Sequence, residues 1–257
     1  MELNKKDINL SNLESKIQIT NFRDLGGYKN SDGLYVKYGC FYRGAVITFR
    51  TDDERQAFKQ LHIKNILDLR SPQEVDAHPD EVLDGCHYVH CSAISIDGLH
   101  EGNFDFAELI QKGDFRQLSS YVAEIYKDLP FNNKAYKIMF DMMLNNETPF
   151  VFHCSAGKDR TGFAAYLILK TLDVPDETIL HDYMLSNVYR ENENKKLLKD
   201  IADVEGAEGL FYVKESYLQS SMHAIKQKYG DFKTYLKAEY DIDEEKIQIL
   251  KERYLCN

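Results

Sequence analysis

Residues 151–162 join a predicted strand to a predicted helix and read Val151-Phe152-His153-Cys154-Ser155-Ala156-Gly157-Lys158-Asp159-Arg160-Thr161-Gly162. The apolar run Pro149–His153 is typical of a buried strand, and the spacing of Thr161–Leu172 predicts a helix after it. Cys154 therefore ends a strand and precedes a loop with a flexible glycine, at the base of a cradle of backbone N–H groups. Such a cradle is an anion site that suits phosphate.

The side chains of this loop suggest roles in phosphoryl chemistry. The N–H groups, together with the cations Lys158 and Arg160, favour the thiolate of Cys154, which is the form that attacks. The planar fork of Arg160 suits bidentate contact with two phosphoryl oxygens in a way that lysine cannot match. The Thr161 hydroxyl is placed to stabilise the thiolate as a leaving group, and His153 is expected to hold the shape of the loop from behind.

Two plainer interpretations of the loop are weaker. A cysteine and an arginine six residues apart are common by chance. The match here also includes the preceding histidine, Gly157, the following Thr-Gly and the strand-to-helix context. With these, the probability that the pattern arose by chance is roughly one in twenty. A nucleotide-binding phosphate loop would need glycine at Phe152 and serine or threonine at Asp159. The sequence therefore disfavours a nucleotide hydrolase.

The rest of the chain alternates predicted strands and helices, which is typical of an α/β sandwich with a largely parallel central sheet. At 257 residues the chain is expected to form one domain, residues 1–257, with about 176–257 as a mainly helical flank or cap. Further strands are predicted at Ile63–Leu69 and, more weakly, Gly85–Cys91, and further helices at Thr51–His62 and at Tyr121–Leu144 with a break at Pro130. In the flank, interruptions are expected near Val204–Gly209 and Gly230–Asp231.

The H-C-x5-R-T pattern resembles the signature loop of the cysteine-dependent protein tyrosine phosphatase superfamily, and the form HCSAGKDRTG resembles its bacterial tyrosine phosphatase family. The motifs Asn21–Gly27, Phe41–Gly44, Leu67–Ser71 and Tyr217–Gly230 also fit, so the resemblance covers most of residues 20–240. It implies a protein tyrosine phosphatase-like sandwich, with a central mostly parallel sheet flanked by helices and extra C-terminal helices. It also implies that the substrate phosphate is bound by Ser155, Ala156, Gly157, Lys158, Asp159 and Arg160.

The resemblance further implies a two-step reaction that uses no metal and no cofactor. Cys154 takes the phosphoryl group and expels the alcohol or phenol, and water then hydrolyses the phosphocysteine. Better-known members supply a general acid from a Trp-Pro-Asp loop, but this chain has no tryptophan. Asp159 is therefore the first candidate for the acid, Asp68 at the end of a predicted strand is the second, and Asp97 is the third.

Phosphotyrosine is the expected substrate, with phosphoserine and phosphothreonine as possible additions and a phosphoinositide as the alternative. Lys158 either contacts a second phosphate or only stabilises the loop and the thiolate, and the sequence leaves both open. A phosphate-binding module that has lost catalysis is disfavoured because Cys154, Arg160 and Thr161 are all present. Redox regulation through Cys40, Cys86 or Cys91 as a resolving thiol also stays open.

The net charge and the cysteine content restrict the classes of binding partner and the cellular compartment that are expected. With 32 basic and 42 acidic residues, the net charge of −10 argues against a nucleic acid or an anionic membrane surface as partner. Five cysteines without a C-x-x-C pair predict free thiols and a cytoplasmic location, although secretion stays open. No apolar run reaches the ~18 residues that span a bilayer, so stable membrane insertion is not expected. The oligomeric state is left open.

Several polar motifs outside the loop have structural interpretations. In a strand, Cys86 and His90 would lie on one face and His87 and Cys91 on the other, so the four side chains cannot converge on one metal ion. They are interpreted as packing and supporting residues. A turn-shaping role is favoured for Asn21–Gly27 over support of the signature loop. Arg43 and Arg70 are expected to pair with local carboxylates rather than with phosphate.

Overall fold

A five-stranded sheet forms the centre of the computed structural model, which describes residues 8–93, 124–200 and 208–257. The strands are numbered in chain order. Across the sheet they lie in the order first, third, sixth, fourth and fifth. The first strand is antiparallel to the third, and the remaining neighbouring pairs are all parallel. The second and seventh strands pair separately and antiparallel. The strands are β1 (Arg23–Asp24), β2 (Tyr35–Val36), β3 (Phe41–Gly44), β4 (Asn65–Asp68), β5 (His87–His90), β6 (Phe150–His153) and β7 (Leu255–Cys256).

The parallel register brings the carboxyl ends of three strands together. Gly44 of β3 and Asp68 of β4 both lie opposite His153 of β6. Loops that follow adjacent parallel strands meet at one edge of the sheet, where ligands bind in open α/β sheets. The loop that begins at Cys154 therefore lies between the chain segments that follow β3 and β4.

Helices cover the sheet and form most of the C-terminal third. Local signals set several of their starts: Thr51 accepts a hydrogen bond from the Glu54 amide, and Ser71 and Glu74 form a reciprocal capping box. The helices are α1 (Ile8–Glu14), α2 (Asp52–Lys59), α3 (Pro72–Ala77), α4 (Lys134–Leu144), α5 (Asp159–Thr171), α6 (Asp176–Tyr189), α7 (Glu191–Asp200), α8 (Glu208–Phe211), α9 (Glu215–Tyr229), α10 (Phe232–Tyr240) and α11 (Glu244–Tyr254). Residues 124–128 are also helical.

The two faces of the sheet pack against separate hydrophobic clusters. Phe150 and Phe152 of β6 belong to the larger cluster, which extends from Leu25 to Leu255 and includes most of α5. Val151, between them, belongs to the smaller cluster around Phe58. Because side chains alternate along a strand, β6 is buried on both faces, as expected for the inner strand of a sandwich.

The predicted α/β architecture is confirmed, with differences in detail. The predicted strands correspond to β4, β5 and β6, and the predicted helices before the flank correspond to α2, residues 124–128, α4 and α5. Within the described residues of the flank every element except β7 is a helix, and Gly230 separates α9 from α10 as predicted. The interruption predicted near Val204–Gly209 lies largely outside the described residues. Within the described ranges, no helix has both the length and the apolar character needed to cross a membrane.

Candidate active site

The loop after β6 forms a compact turn around Cys154. The Cys154 side chain is only 1% exposed, and α5 begins five residues later at Asp159. Gly157 has a φ of +65°, a conformation that favours glycine. A Cβ at Gly157 would also lie 2.8 Å from the backbone nitrogen of Ala45 and closer still to the carbonyl of Gly44. The glycine in the motif is therefore required both by its conformation and by the close approach of β3.

The loop carbonyls are fixed by side chains from outside the loop. The carbonyl of Gly157 accepts hydrogen bonds from Asn21 Nδ2 at 2.6 Å and from Arg43 Nη2 at 2.9 Å. The carbonyl of Ala156 accepts one from Arg190 Nη1 at 3.1 Å.

These anchors turn the peptide planes so that carbonyls face the protein. Among the described residues, no acceptor takes a hydrogen bond from the backbone N–H groups of Ser155, Ala156 and Gly157. Three successive backbone amides are thus left without a protein acceptor in the described structure, and amides in such a row can bind an anion.

A buried carboxylate organises the arginines behind the loop. Asp182 of α6 is 1% exposed and accepts hydrogen bonds from Arg23 Nε at 2.8 Å, Arg43 Nη1 at 2.6 Å and the Tyr28 hydroxyl at 2.9 Å. Burial alone would raise the pKa of Asp182, but the two guanidinium groups outweigh it and lower the pKa to about 2. Arg23 also donates to the side chain of Asn21, so Asp182 supports both side chains that hold the Gly157 carbonyl.

The preference for a purely turn-shaping role in Asn21–Gly27 is thus wrong in part. Asp24 does shape the turn, since its carboxylate accepts from the amides of Gly26 and Gly39. Asn21 and Arg23, however, support the signature loop from behind. Arg43 pairs with a carboxylate as predicted, although its partner Asp182 is 139 residues away in the sequence rather than local.

Replacing Asp182 with asparagine is expected to lower the free energy of unfolding by about 3–5 kcal/mol, because it leaves two buried guanidinium groups without a counter-charge. Asp182 has a pKa that is lower in the folded state than in the unfolded chain, where it is about 3.9. The ionised Asp182 therefore makes its full contribution to the free energy of unfolding above about pH 4, and this contribution is lost as the pH falls towards 2. Urea unfolding at pH 7 and pH 3 measures both effects.

Asp241→Asn is the matched control for this variant. Asp241 is also paired with lysines, but its side chain is 64% exposed, and its positive φ of 58° is one that asparagine tolerates. It is expected to change the unfolding free energy much less than Asp182→Asn. Equal effects of the two variants would contradict the role given to the buried carboxylate.

Arg160 is held by a residue that the sequence did not single out. Its Nη1 and Nη2 donate to the two carboxylate oxygens of Glu74 at 2.6 and 2.7 Å, and the Ser155 hydroxyl donates to the same carboxylate at 2.5 Å. Burial would raise the pKa of Glu74, but the Arg160 contacts outweigh it and lower the pKa to about 2. The pattern Ser71-x-x-Glu74 marks a helix start in the sequence, but it gives no sign of this pairing.

Asp159 stands at the mouth of the loop with its side chain 29% exposed. Its Oδ1 accepts a hydrogen bond from the Tyr126 hydroxyl at 2.8 Å, and its Oδ2 lies 3.1 Å from Lys158 Nζ. Lys158 itself is buried beside the loop. Arg190 lies near both Cys154 and Asp159: burial lowers the pKa of Arg190, and its neighbours Cys154, Asp159 and Glu193 oppose that effect. The third candidate acid, Asp97, lies outside the described residues.

Asp68 lies in a different environment from Asp159. It is fully buried, and its carboxylate accepts hydrogen bonds from Arg70 Nε at 2.9 Å and Nη2 at 2.6 Å and from the Tyr88 hydroxyl at 2.6 Å. Burial raises the pKa of Asp68, but these contacts and His153 outweigh it and hold the pKa well below its usual range. The same Arg70 Nη2 donates to Asp80 at 2.6 Å. Arg70 thus pairs with local carboxylates, as predicted.

His153 and Thr161 support the loop from buried positions. His153 Nε2 lies 3.2 Å from Asp80 Oδ2, and Nδ1 lies 3.3 Å from the Cys154 carbonyl. The Thr161 hydroxyl is buried and has no hydrogen-bond partner in the described structure. Asp68, Asp80 and His153 converge closely enough to hold a cation, but the Arg70 guanidinium already bridges the two carboxylates.

None of the five cysteines, all of which lie within the described residues, forms a disulfide. In the Cys86–Cys91 segment, the Cys86 thiol donates to the Ile63 carbonyl at 3.1 Å and His90 Nε2 lies 2.8 Å from the Arg70 carbonyl. Cys86 packs against the smaller hydrophobic cluster and Cys91 against the larger one, which agrees with the packing role predicted for the cysteines, whereas His87 and His90 are exposed.

Comparison with known proteins identifies the family. The tyrosine phosphatase family matches residues 16–256. A Cupriavidus necator protein with the provisional name tyrosine-protein phosphatase is 30% identical over 229 residues, covering 88% of this chain and 83% of that protein. The triple specificity protein phosphatase PtpB of Mycobacterium tuberculosis is 24% identical over 252 residues, covering 84% of this chain and 90% of that one. The crystal structure of Pseudomonas aeruginosa TpbA with phosphotyrosine covers 74% of this chain and 90% of its own at 14% identity, with a TM-score of 0.30 that is too low to bear on this fold.

The fold and the loop define an enzyme of the phosphoric monoester hydrolase class. Because the family match spans nearly the whole chain, the chain belongs to the tyrosine phosphatase family. The predicted resemblance is thereby confirmed.

Proposed function

We propose that this protein hydrolyses phosphotyrosine through a phosphocysteine formed on Cys154, within a single phosphatase domain that comprises the whole chain. The observation that carries the proposal is the row of three amides, at residues 155–157, that have no protein acceptor in the described structure and follow the buried Cys154 directly. A phosphoryl group in this cradle would satisfy the three amides. The continuous hydrophobic cluster from Leu25 to Leu255 supports the single domain.

In the first step the thiolate of Cys154 attacks phosphorus, and the bond from phosphorus to the leaving oxygen breaks. Arg160 stabilises the equatorial oxygens, with Glu74 fixing one edge of its guanidinium through two hydrogen bonds. In the second step water attacks the phosphocysteine and the thiolate leaves. We assign the Thr161 hydroxyl, which has no hydrogen-bond partner in the described structure, to stabilising that thiolate.

We propose Asp159 as the general acid that protonates the leaving oxygen. It is partly exposed at the mouth of the loop, where a substrate oxygen has access to it. Asp68 is a poor candidate because it is fully buried and its contacts with Arg70 and Tyr88 favour the ionised form. We instead assign to Asp68 a positioning role: together with Arg70 and Asp80 it fixes the segment behind His153.

Asp159→Asn is expected to reduce kcat about 10²-fold for a phosphate ester with an alkyl leaving group, because that alkoxide needs a proton as it departs. For an ester of an acidic phenol the loss is expected to be several-fold smaller. Steady-state kinetics with a series of leaving groups measures this difference. Asp68→Asn is the comparison, and it is expected to reduce kcat without this dependence. A leaving-group dependence found for Asp68→Asn and not for Asp159→Asn would reverse the assignment.

A wider substrate range is the second candidate function. Arg190 and Lys158 are buried cations beside the loop in addition to Arg160, which supports a polyanionic substrate such as a phosphoinositide. The Mycobacterium tuberculosis relative is named a triple specificity phosphatase, which supports phosphoserine and phosphothreonine as further substrates. Phosphotyrosine remains the first proposal because the family is defined by it.

A substrate panel in the presence of EDTA tests the proposed function. Phosphate release is compared for a phosphotyrosine peptide, a phosphoserine peptide and a phosphoinositide, with and without vanadate. The proposal predicts turnover that is independent of metal, inhibited by vanadate and fastest with the phosphotyrosine peptide, as kcat/KM. A higher kcat/KM for the phosphoinositide would favour the alternative, and activity that disappears with EDTA and returns with added metal would contradict the mechanism.

A further inference from the structure

A buried pair of tyrosines is connected to the carboxylate of Asp159. The Tyr126 hydroxyl lies 2.8 Å from Asp159 Oδ1 and 2.6 Å from the hydroxyl of Tyr183. Both tyrosines are almost completely buried. Neither residue belongs to the signature loop.

The direction of the hydrogen bonds follows from the number of protons. Burial and the negative charge of Asp159 raise the pKa of both tyrosines well above the ordinary value, so both hydroxyls stay protonated at neutral pH. Tyr126 has one proton, and only by donating it to Asp159 does it satisfy the carboxylate. Tyr183 must then donate to the oxygen of Tyr126. The chain of donors runs from Tyr183 through Tyr126 to Oδ1.

We propose that Tyr126 is a positioning residue for the general acid: by donating to Oδ1 it fixes the rotamer of Asp159 and leaves Oδ2 to carry the proton that the leaving group receives. This inference rests on the proposed role of Asp159. An oxygen that accepts from Tyr126 cannot also hold the acidic proton in the same direction, so the two carboxylate oxygens become inequivalent. An acid fixed in this way protonates the leaving oxygen without first having to rotate.

The helical flank holds Tyr126 in place. The Tyr126 ring stacks on Tyr217 of α9, with ring centroids 5.5 Å apart and planes 26° apart, and it meets Tyr183 of α6 edge-on at 6.4 Å. The Ser221 hydroxyl donates to the backbone carbonyl of Tyr126. Two helices of the flank therefore determine where the acid lies.

Other charged groups also face Asp159. Lys158 Nζ is 3.1 Å from Oδ2, so Lys158 must turn towards the phosphoryl oxygens when Oδ2 is protonated. Arg160 and Arg190 both lie close enough to feel the charge of Asp159, as does Tyr217. These neighbours act on the charge of Asp159. Lys158 Nζ also donates to Oδ1, but at 3.4 Å, whereas the buried Tyr126 hydroxyl donates to Oδ1 at 2.8 Å.

Tyr126→Phe tests the inference by removing one oxygen while keeping the ring. We expect kcat to fall about tenfold for the alkyl ester and less than about twofold for the ester of an acidic phenol. In the Asp159→Asn background, the same substitution is expected to have almost no further effect on kcat, because the two residues act as a unit. The loss is expected to appear in kcat and not in KM, because Tyr126 acts on Asp159 rather than on the bound phosphoryl group.

Two further variants complete the experiment. Tyr254→Phe removes a buried hydroxyl that donates to the Met143 carbonyl at 2.7 Å and does not touch Asp159, so its leaving-group dependence is expected to match the wild type. Tyr183→Phe removes the donor behind Tyr126 and is expected to show the same selectivity as Tyr126→Phe with a smaller loss. If circular dichroism shows that Tyr126→Phe does not fold, Tyr183→Phe is used for the test instead.

The outcomes separate the inference from the proposed function. Equal losses for both leaving groups in Tyr126→Phe, or the full loss repeated in the Asp159→Asn background, would overturn the positioning role while leaving Asp159 as the acid. Failure of the proposed role of Asp159 has a different signature, because Asp159→Asn itself would then lack any leaving-group dependence.

Discussion

Cys154→Ser is expected to reduce phosphate release by at least about 10⁴-fold, the largest effect of any single substitution in this chain. A serine hydroxyl does not ionise at neutral pH, so the variant has no anionic nucleophile at the base of the cradle. The backbone amides at residues 155–157 and their anchors remain, since none of them involves the Cys154 side chain. The variant is therefore expected to keep its affinity for a phosphate ligand, which isothermal titration with inorganic phosphate or phosphotyrosine measures.

Cys86→Ser provides the matched control for this loss. Cys86 is also a free thiol beside the sheet, but its contact is with the Ile63 carbonyl and not with the loop. Its phosphate release is expected to stay within about twofold of wild type. Turnover that survives Cys154→Ser would refute the cysteine mechanism, whereas binding retained with turnover lost is the pattern that the mechanism requires.

Arg160→Lys is expected to reduce kcat about 10³-fold although it keeps the positive charge. Arg160 donates two hydrogen bonds to Glu74, at 2.6 and 2.7 Å, and its other N–H groups are available to phosphoryl oxygens. The lysine ammonium is a single point of charge that cannot satisfy both partners in one plane. Steady-state kinetics with the phosphotyrosine peptide measures the loss, which should appear mainly in kcat because the contact strengthens in the transition state.

Arg190→Lys separates the effect of planarity from the effect of charge, at an arginine that contacts the same loop from outside. Arg190 donates one hydrogen bond, at 3.1 Å, to the Ala156 carbonyl, and a lysine can replace a single bond of this kind. The expected loss in kcat is about tenfold or less. If Arg160→Lys proved as mild as Arg190→Lys, the bidentate role of Arg160 would be wrong.

The sequence predicted those parts of the fold that depend on local pattern. The apolar runs of β4 and β6 and the helix after the signature loop are short-range features, and they lie where the periodicity indicated. β3 was not predicted as a strand because one of its four buried residues, Arg43, is charged. Arg43 is buried only because Asp182 neutralises it from 139 residues further along the chain, and no local pattern encodes that pairing.

The residues of the candidate site also fall into those that a local motif predicts and those that it does not. Cys154, Arg160 and the loop between them could be named from the motif, since a strand, a glycine and a helix start suffice to predict a cradle of amides. Glu74 and Tyr126 could not, because their partners Arg160 and Asp159 lie 86 and 33 residues away. Tertiary contacts select these residues, and a single sequence carries no periodic signal for them.

The central claim is that the phosphoryl group is transferred to Cys154 before it reaches water. The most direct test is a rapid-quench experiment with an ester of an acidic phenol, in which the denatured protein is digested and the peptide that contains Cys154 is examined by mass spectrometry. The mechanism predicts a burst of phenol equal to the enzyme present and a phosphoryl group on Cys154 during the burst. Phenol release without a burst, together with an unmodified Cys154 throughout turnover, would show direct attack by water and contradict the mechanism.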